Sequence, residues 1–277
     1  MQSELRLRII SGIVLAVVTL GATWAGGTVF ELLSVAIAVL VYYEWSTITR
    51  LAERDFQGNA FGWLAQAVIS ALILFDGAHV TLLVLAGFAA ISALWVFLRG
   101  GSWWLPGGIV YAGLTGISLS AIRGDGDIGL IAMIFIFAVV WATDILAYFT
   151  GRAIGGPKLA PRISPGKTWS GAIGGAVCGV IAGVAVFMSY FSLNDARIPL
   201  LALALSVSSQ IGDLFESYIK RRFGVKDSSK LIPGHGGVMD RVDGLVFACF
   251  AALLIALIQV VSTGGQNVPL GAILLAP

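Results

Sequence analysis

The chain has 277 residues, of which 58% are hydrophobic and only 12% charged, with a mean hydropathy of +0.93. That balance lies outside the range of soluble globular domains and excludes a disordered tail, a secreted disulfide scaffold and a single anchored domain. A formal net charge of +2 is too small to imply nucleic acid as a partner, so the placement of the charges matters more than their sum.

Apolar stretches near the ~20 residues that a hydrocarbon core demands recur along the chain. Gly/Pro clusters and charges, used as punctuation, predict spans at 9–26, 28–48, 60–75, 79–98, 105–122, 128–150, 170–191, 198–219 and 244–262. The expected fold class is all-α, a polytopic membrane helix bundle of about nine transmembrane helices. Residues 1–125 would form the N-terminal helices and 126–277 a catalytic region with loops at 151–169 and 217–243. The first span follows Arg6 and Arg8 and ends in small residues, as a signal peptide does. Equally apolar later segments, with no soluble domain to export, argue for a span instead.

Basic loops stay on the cytoplasmic side. Arg6 and Arg8, Arg50 and Arg54, Arg99 and the two large loops alternate correctly if the N-terminus is cytoplasmic. The turns at Gly26-Gly27, Asp76-Gly77, Gly124-Asp125 and Ser192 to Asn194, and the C-terminus, are then outside. Trp45, Trp63, Trp103 and Trp104 fall at span ends, as an interfacial belt would. Cys178 and Cys249 lie in apolar runs and read as small buried residues. Gly171/Gly175 and Gly175/Gly179 have the spacing that lets helices approach closely.

Of the 17 Lys and Arg residues, Arg152, Lys158, Arg162 and Lys167 lie in the first loop, and Lys220, Arg221, Arg222, Lys226, Lys230 and Arg241 in the second. The region 213–243 also carries Asp213, Glu216, Asp227, Asp240 and Asp243. A topology signal needs no carboxylates, whereas a site binding a metal ion and phosphate needs both signs. Asp213, Glu216, Ser217 and Lys220 follow at i, i+3, i+4 and i+7, one face of a helix. Asp213 and Glu216 stand within or at the edge of an apolar span, where a carboxylate is costly unless paired or bound to a cation. Asp144, Tyr148, Gly151 and Arg152 repeat the pattern at the end of the sixth span. Asp240 and Asp243, one turn apart where the ninth span begins, would by themselves suit a helix dipole. With two acids across the loop, a metal site is the better reading, while Asp227, among lysines, reads as an ion-pair partner.

Pro233-Gly234-His235-Gly236-Gly237 lies between these acids. Its glycines suit either a tight turn or a phosphate cradle of exposed N–H groups. His79, alone at an outer turn, reads as structural. Gly166-Lys167-Thr168 ends like a P-loop, but the leading glycine position is Pro161 and no strand precedes it. Pro157, Pro161 and Pro165 predict instead a stiff extended segment presenting Ser164, Lys167 and Thr168.

The segment Ser217 to Asp243, with Lys220, Arg221, Lys226, Asp227, Pro233, His235, Gly236, Gly237, Asp240 and Arg241 at its diagnostic positions, resembles the signature of the phosphatidate cytidylyltransferase (CDP-diacylglycerol synthase) family. Asp144 to Gly171, with Tyr148, Arg152 and Ser164 to Trp169, is similar to a second conserved block. Two positions depart from the family pattern: Gly166, where members often carry Lys, and Ser170, where they often carry Glu.

The resemblance implies transfer of CMP from CTP to phosphatidic acid in the bilayer, releasing pyrophosphate, with Mg²⁺ and a nearby K⁺. The implied catalytic groups are Asp213, Asp240, Asp243, Lys167, Lys220, Lys226 and Arg241. Substrate binding falls to Ser164, Lys167, Thr168, Arg152, Tyr148, Ser217, Lys220, Arg221, His235, Gly236 and Gly237. The metal ligands are expected among Asp213, Glu216, Asp240, Asp243 and Asp144, with Asp240 and Asp213 at the divalent site and Asp243 and Glu216 as second ligands or holding the monovalent ion. A bacterial inner membrane, a cytoplasmic active site and a homodimer are the accompanying expectations. A CTP-dependent polyprenol or dolichol kinase is the alternative enzyme, and a lipid or ion transporter the alternative outside enzymes.

Overall fold

The computed structural model describes residues 2–75, 78–193, 196–263 and 269–275. The turn expected at Asp76-Gly77, the Asn194 end of another, the side chain of His79 and the last two residues of the C-terminus lie outside that description. In chain order the helices are α1 (Gln2–Ala25), α2 (Gly27–Ile48), α3 (Leu51–Arg54), α4 (Phe56–Phe75), α5 (Ala78–Arg99), α6 (Trp104–Arg123) and α7 (Asp127–Ile154), followed by α8 (Trp169–Met188), α9 (Arg197–Arg222), α10 (Met239–Thr263) and α11 (Leu270–Leu275). Among the described residues nine helices are long and apolar enough to cross a membrane. The protein is a polytopic all-α membrane protein.

Helix ends differ from expectation where charges were taken as punctuation. α7 continues to Ile154, and α10 starts at Met239, so Asp144, Tyr148 and Arg152 share one continuous helix, as do Asp240 and Asp243. A helix satisfies its own backbone and need not stop where the hydrocarbon does. The proline-rich stretch between α7 and α8 is a hairpin of β1 (Lys158–Ala160) and β2 (Ser164–Thr168), antiparallel. Its turn has Pro161 at the second position and closes with Ile163 N–H donating to Ala160 O at 3.1 Å.

The chain forms two compact units, Met1–Ala121 with Phe223–Arg241, and Ile122–Arg222 with Val242–Pro277. The division expected at 125/126 kept all of 217–243 with the C-terminal region, whereas residues 223–241 group with the N-terminal helices.

In the first unit Tyr42, Trp45, Leu51, Ile69, Leu105 and Ile109 are buried. Trp45 stacks on Tyr111 at 5.3 Å, and its Nε1–H donates to Trp104 O at 2.8 Å. Gly108 makes room for the indole, since a Cβ there would come within 2.5 Å of the ring. Trp45 is therefore a core residue and not part of an interfacial belt, while Trp103 is exposed as a belt residue would be. An indole at a span end reads the same in sequence whichever way it faces.

The second unit is organised by α8, whose Gly171, Gly175, Gly179 and Gly183 are buried at four-residue spacing. A Cβ at Gly175 would come 2.7 Å from Thr143 O, and one at Gly183 2.6 Å from the Val139 side chain, so glycine alone admits α7 at this distance. Inside this apolar packing Thr143 Oγ1 and Ser206 Oγ satisfy each other at 2.7 Å. Cys178 and Cys249 are free thiols, and only Cys249 is fully buried.

Candidate active site

The second unit gathers one cluster. Gly212 on α9 lies so close to α10 that a Cβ would stand 2.5 Å from Asp243 O, and Gly244 answers it one residue along, against Ser209. This approach brings Asp213 and Asp243 into electrostatic reach of each other, and Asp144 of α7 faces both, with Lys167 also in range. Lys167, in β2, forms an ion pair with Asp213. Its neighbour Thr168 points the other way, as strand alternation requires, and accepts from Gly171 N–H at 3.1 Å as the N-cap of α8.

The remaining residues of that unit take smaller roles. Glu216 is buried and forms an ion pair with Lys220 at 2.6 Å, and so is already engaged by a cation of its own helix. Ser217 Oγ reaches Asp213 Oδ1 at 3.5 Å. Arg152 donates to Tyr148 Oη at 2.9 Å on an exposed face of α7, and Arg221 Nε–H donates to Ile163 O of the hairpin turn at 3.4 Å. Ser164 opens β2 without a hydrogen bond among the described side chains. Ser170 donates to Gly155 O, closing the C-terminus of α7 where the family often carries Glu.

The first unit holds the loop between α9 and α10. Ile232-Pro233-Gly234-His235 is a tight turn: His235 N–H donates to Ile232 O at 2.9 Å, with Pro second and Gly234 at φ +78° third, the pattern of a type II turn. Gly237 N–H donates to Asp240 Oδ2 at 2.8 Å. The expectation of a cradle of exposed N–H groups therefore fails at His235 and Gly237, whose N–H groups are spent within the loop. Asp240 Oδ2 also accepts from Ser228 N–H and Ser228 Oγ, each at 2.8 Å. Asp227 is exposed and, among the described residues, has no ion-pair partner, contrary to expectation; its neighbour Lys226 is exposed, as is Arg241. Burial, reinforced by Arg241 and Arg8, holds His235 below the usual histidine pKa.

A residue that holds this loop in place, Glu44, carries no motif in the sequence. Glu44, fully buried on α2, accepts from Ser228 Oγ (3.0 Å), Ser229 Oγ (2.6 Å), Val238 N–H (2.8 Å) and Met239 N–H (2.6 Å). It ties the middle of the loop, at Ser228 and Ser229, to its end at Val238 and to the first N–H group of α10 at Met239. The signal was available, because an acid inside an apolar span is expensive unless it has a task.

Among the described residues no three His, Cys, Asp or Glu side chains form a group that could hold a metal ion unaided. Mg²⁺ does not require one: it commonly takes one or two carboxylates, with water and substrate phosphates completing the shell. Asp213 and Asp243, with Asp144 in reach, fit that sparse demand.

A sequence model of the cytidylyltransferase family matches residues 6–260. The chain is 50% identical over 253 residues to a phosphatidate cytidylyltransferase of Brucella abortus, covering 91% of this chain and 92% of that one. It is 38% identical over 275 residues to one of Pseudomonas aeruginosa (90% and 97% covered) and 34% identical over 278 residues to one of Haemophilus influenzae (88% and 96% covered). Similarity of that extent, over residues in both units, means that the chain belongs to the cytidylyltransferase family.

Proposed function

We propose that this chain is a CTP:phosphatidate cytidylyltransferase, joining CMP from CTP to the phosphate of phosphatidic acid and releasing pyrophosphate. The observation that carries the reading is the Asp144, Asp213 and Asp243 cluster on apolar helices, with Lys167 of β2 beside it, in a chain alike over nearly its whole length to enzymes of that name. A lipid phosphate oxygen must approach the α-phosphorus of an anionic nucleotide, so the first requirement is charge neutralisation. Lys167, paired with Asp213, and Lys220, paired with Glu216, bring positive charge for the phosphates to the unit that carries the carboxylates. No serine or cysteine is activated by a His–acid pair among the described side chains, and direct in-line attack by the lipid phosphate needs none.

Mg²⁺ is proposed at Asp213 and Asp243, with Asp144 in support; when bound it would offset the charge of the nucleotide phosphates. Asp240, one turn before Asp243 on α10, commits Oδ2 to its loop and would address a cation through Oδ1. Glu216, engaged by Lys220, is not assigned to K⁺. The active site is proposed to face the cytoplasm of a bacterial inner membrane, with the N-terminus on the same side.

The test is incubation of purified protein with phosphatidic acid, Mg²⁺ and CTP labelled at the α or the γ phosphate. Label should enter lipid from the α position only, with release of pyrophosphate. Entry from the γ position only would make the protein a lipid kinase, and transport without CTP a carrier.

A further inference from the structure

Ser11, on α1 of the first unit, stands against the histidine of the loop. Its Oγ lies 2.7 Å from Leu7 O, 3.3 Å from Arg8 O, 3.0 Å from Pro233 O and 2.7 Å from His235 Nδ1. A serine hydroxyl has one proton and two lone pairs. Three of its four neighbours here are carbonyl oxygens, which only accept. Were the proton given to Nδ1, Oγ would meet all three carbonyls with lone pairs alone. Given instead to Leu7 O, the back-bond that serines make within helices, it leaves an Oγ lone pair for an Nδ1–H donor. In the neutral ring Nε2 is then the acceptor nitrogen, and among the described residues it has no hydrogen-bond partner.

The surroundings of the ring are cationic. Arg8, on the same face of α1, has its Cγ 2.8 Å from where a Cβ on Gly234 would be, and Arg8 and Arg241 both act electrostatically on His235. Among the described residues neither guanidinium has a carboxylate within 4.0 Å. The ring lies against α1 at Gly12, where a Cβ would stand in ordinary contact with Cε1 at 3.6 Å. Two unpaired cations beside a lone-pair acceptor suit an anion that still carries a proton. A carboxylate or a phosphate dianion would bring Nε2 nothing to accept, whereas a phosphate monoester, with its second pKa near ~6, is partly monoprotonated at neutral pH.

We propose that Ser11 is a positioning residue that holds His235 as the Nδ1–H tautomer, so that Nε2 takes the proton of a phosphate monoester flanked by Arg8 and Arg241. The role of the monoester rests on the function proposed above, in which the lipid phosphate is the nucleophile; the tautomer does not. In the step, the P–O–H bond breaks, an Nε2–H bond forms, and the electron pair of the O–H bond stays on the phosphate oxygen. The products are an imidazolium and a dianion, the more nucleophilic form. Burial and the two arginines keep the ring neutral, and hence able to accept, near neutral pH.

The test has two arms on the full-length protein. The sequence contains two histidines, so ¹⁵N-histidine labelling of a His79→Gln background leaves one imidazole to observe. It should titrate as the Nδ1–H tautomer, become a mixture in Ser11→Ala and recover in Ser11→Thr. An Nε2–H tautomer before substitution, or a spectrum unmoved by Ser11→Ala, overturns the proposal. In the second arm Ser11→Ala should lower kcat about tenfold with the KM for CTP unchanged, and should cost nothing further in a His235→Gln background. Losses that multiply would make Ser11 a packing residue only. If the unsubstituted protein forms no CDP-lipid, the proposed function falls and the spectra alone decide the tautomer.

Discussion

Glu44 and Asp213 are both carboxylates on membrane-spanning helices, and their neighbours set them opposite tasks. Glu44 has its oxygens filled by two N–H groups and two serine hydroxyls, so a cation would have to displace four donors. Asp213 meets one lysine and lies in the field of Asp144 and Asp243, a concentration of negative charge that a divalent ion would relieve. Asp213→Asn is therefore expected to raise the Mg²⁺ concentration needed for half-maximal turnover and to lower kcat by roughly 10²-fold or more. Glu44→Gln is isosteric but turns an amide towards backbone N–H donors, and each buried donor left unsatisfied costs roughly 1–3 kcal/mol. It should lower the detergent melting temperature and kcat while leaving the Mg²⁺ requirement unchanged. Equal shifts in Mg²⁺ dependence for both variants would contradict this division.

At the scale of elements, the site depends on how closely helices approach. α9 and α10 meet at Gly212, where a single added methyl would lie 2.5 Å from a backbone oxygen that cannot rotate away. Gly212→Ala should force the two helices apart, separate Asp213 from Asp243 and remove most activity, although alanine favours helix by about 1 kcal/mol over glycine. Gly166→Ala, in the hairpin, meets nothing within 4 Å and serves as the control, with activity retained. If both variants were equally active, the α9/α10 contact would not set the carboxylate geometry. The hairpin itself matters because it aims Lys167 at Asp213 while Thr168 caps α8, two tasks assigned by adjacent residues on opposite faces of one strand.

At the scale of the molecule, orientation is a prediction of charge distribution. If the basic loops face the cytoplasm, cysteines placed at positions 160 and 230 of a Cys178→Ala, Cys249→Ala protein should react with an impermeant maleimide only after the cells are opened. A cysteine at position 125, in the exposed turn between α6 and α7, should react in intact cells. External labelling at position 230 would invert the topology and the proposed location of the site with it.

The nine spans were legible in the sequence because crossing a bilayer imposes a length and an apolar composition on each segment independently of its neighbours. The same holds for the glycine spacing of α8 and for the mixed-charge signature from Ser217 to Asp243, both of which are local patterns. Partners were not legible in that way. That Trp45 is core is decided by Trp104 and Tyr111, which lie on another helix some way along the chain, whereas the Glu216–Lys220 pair lies within one helix face. Glu44 is separated from its partners by 184 to 195 residues, and Ser11 from His235 by 224. Periodicity assigns each side chain to a face of its own helix, but a hydrogen bond needs the position of a second chain segment, and only the tertiary structure supplies it.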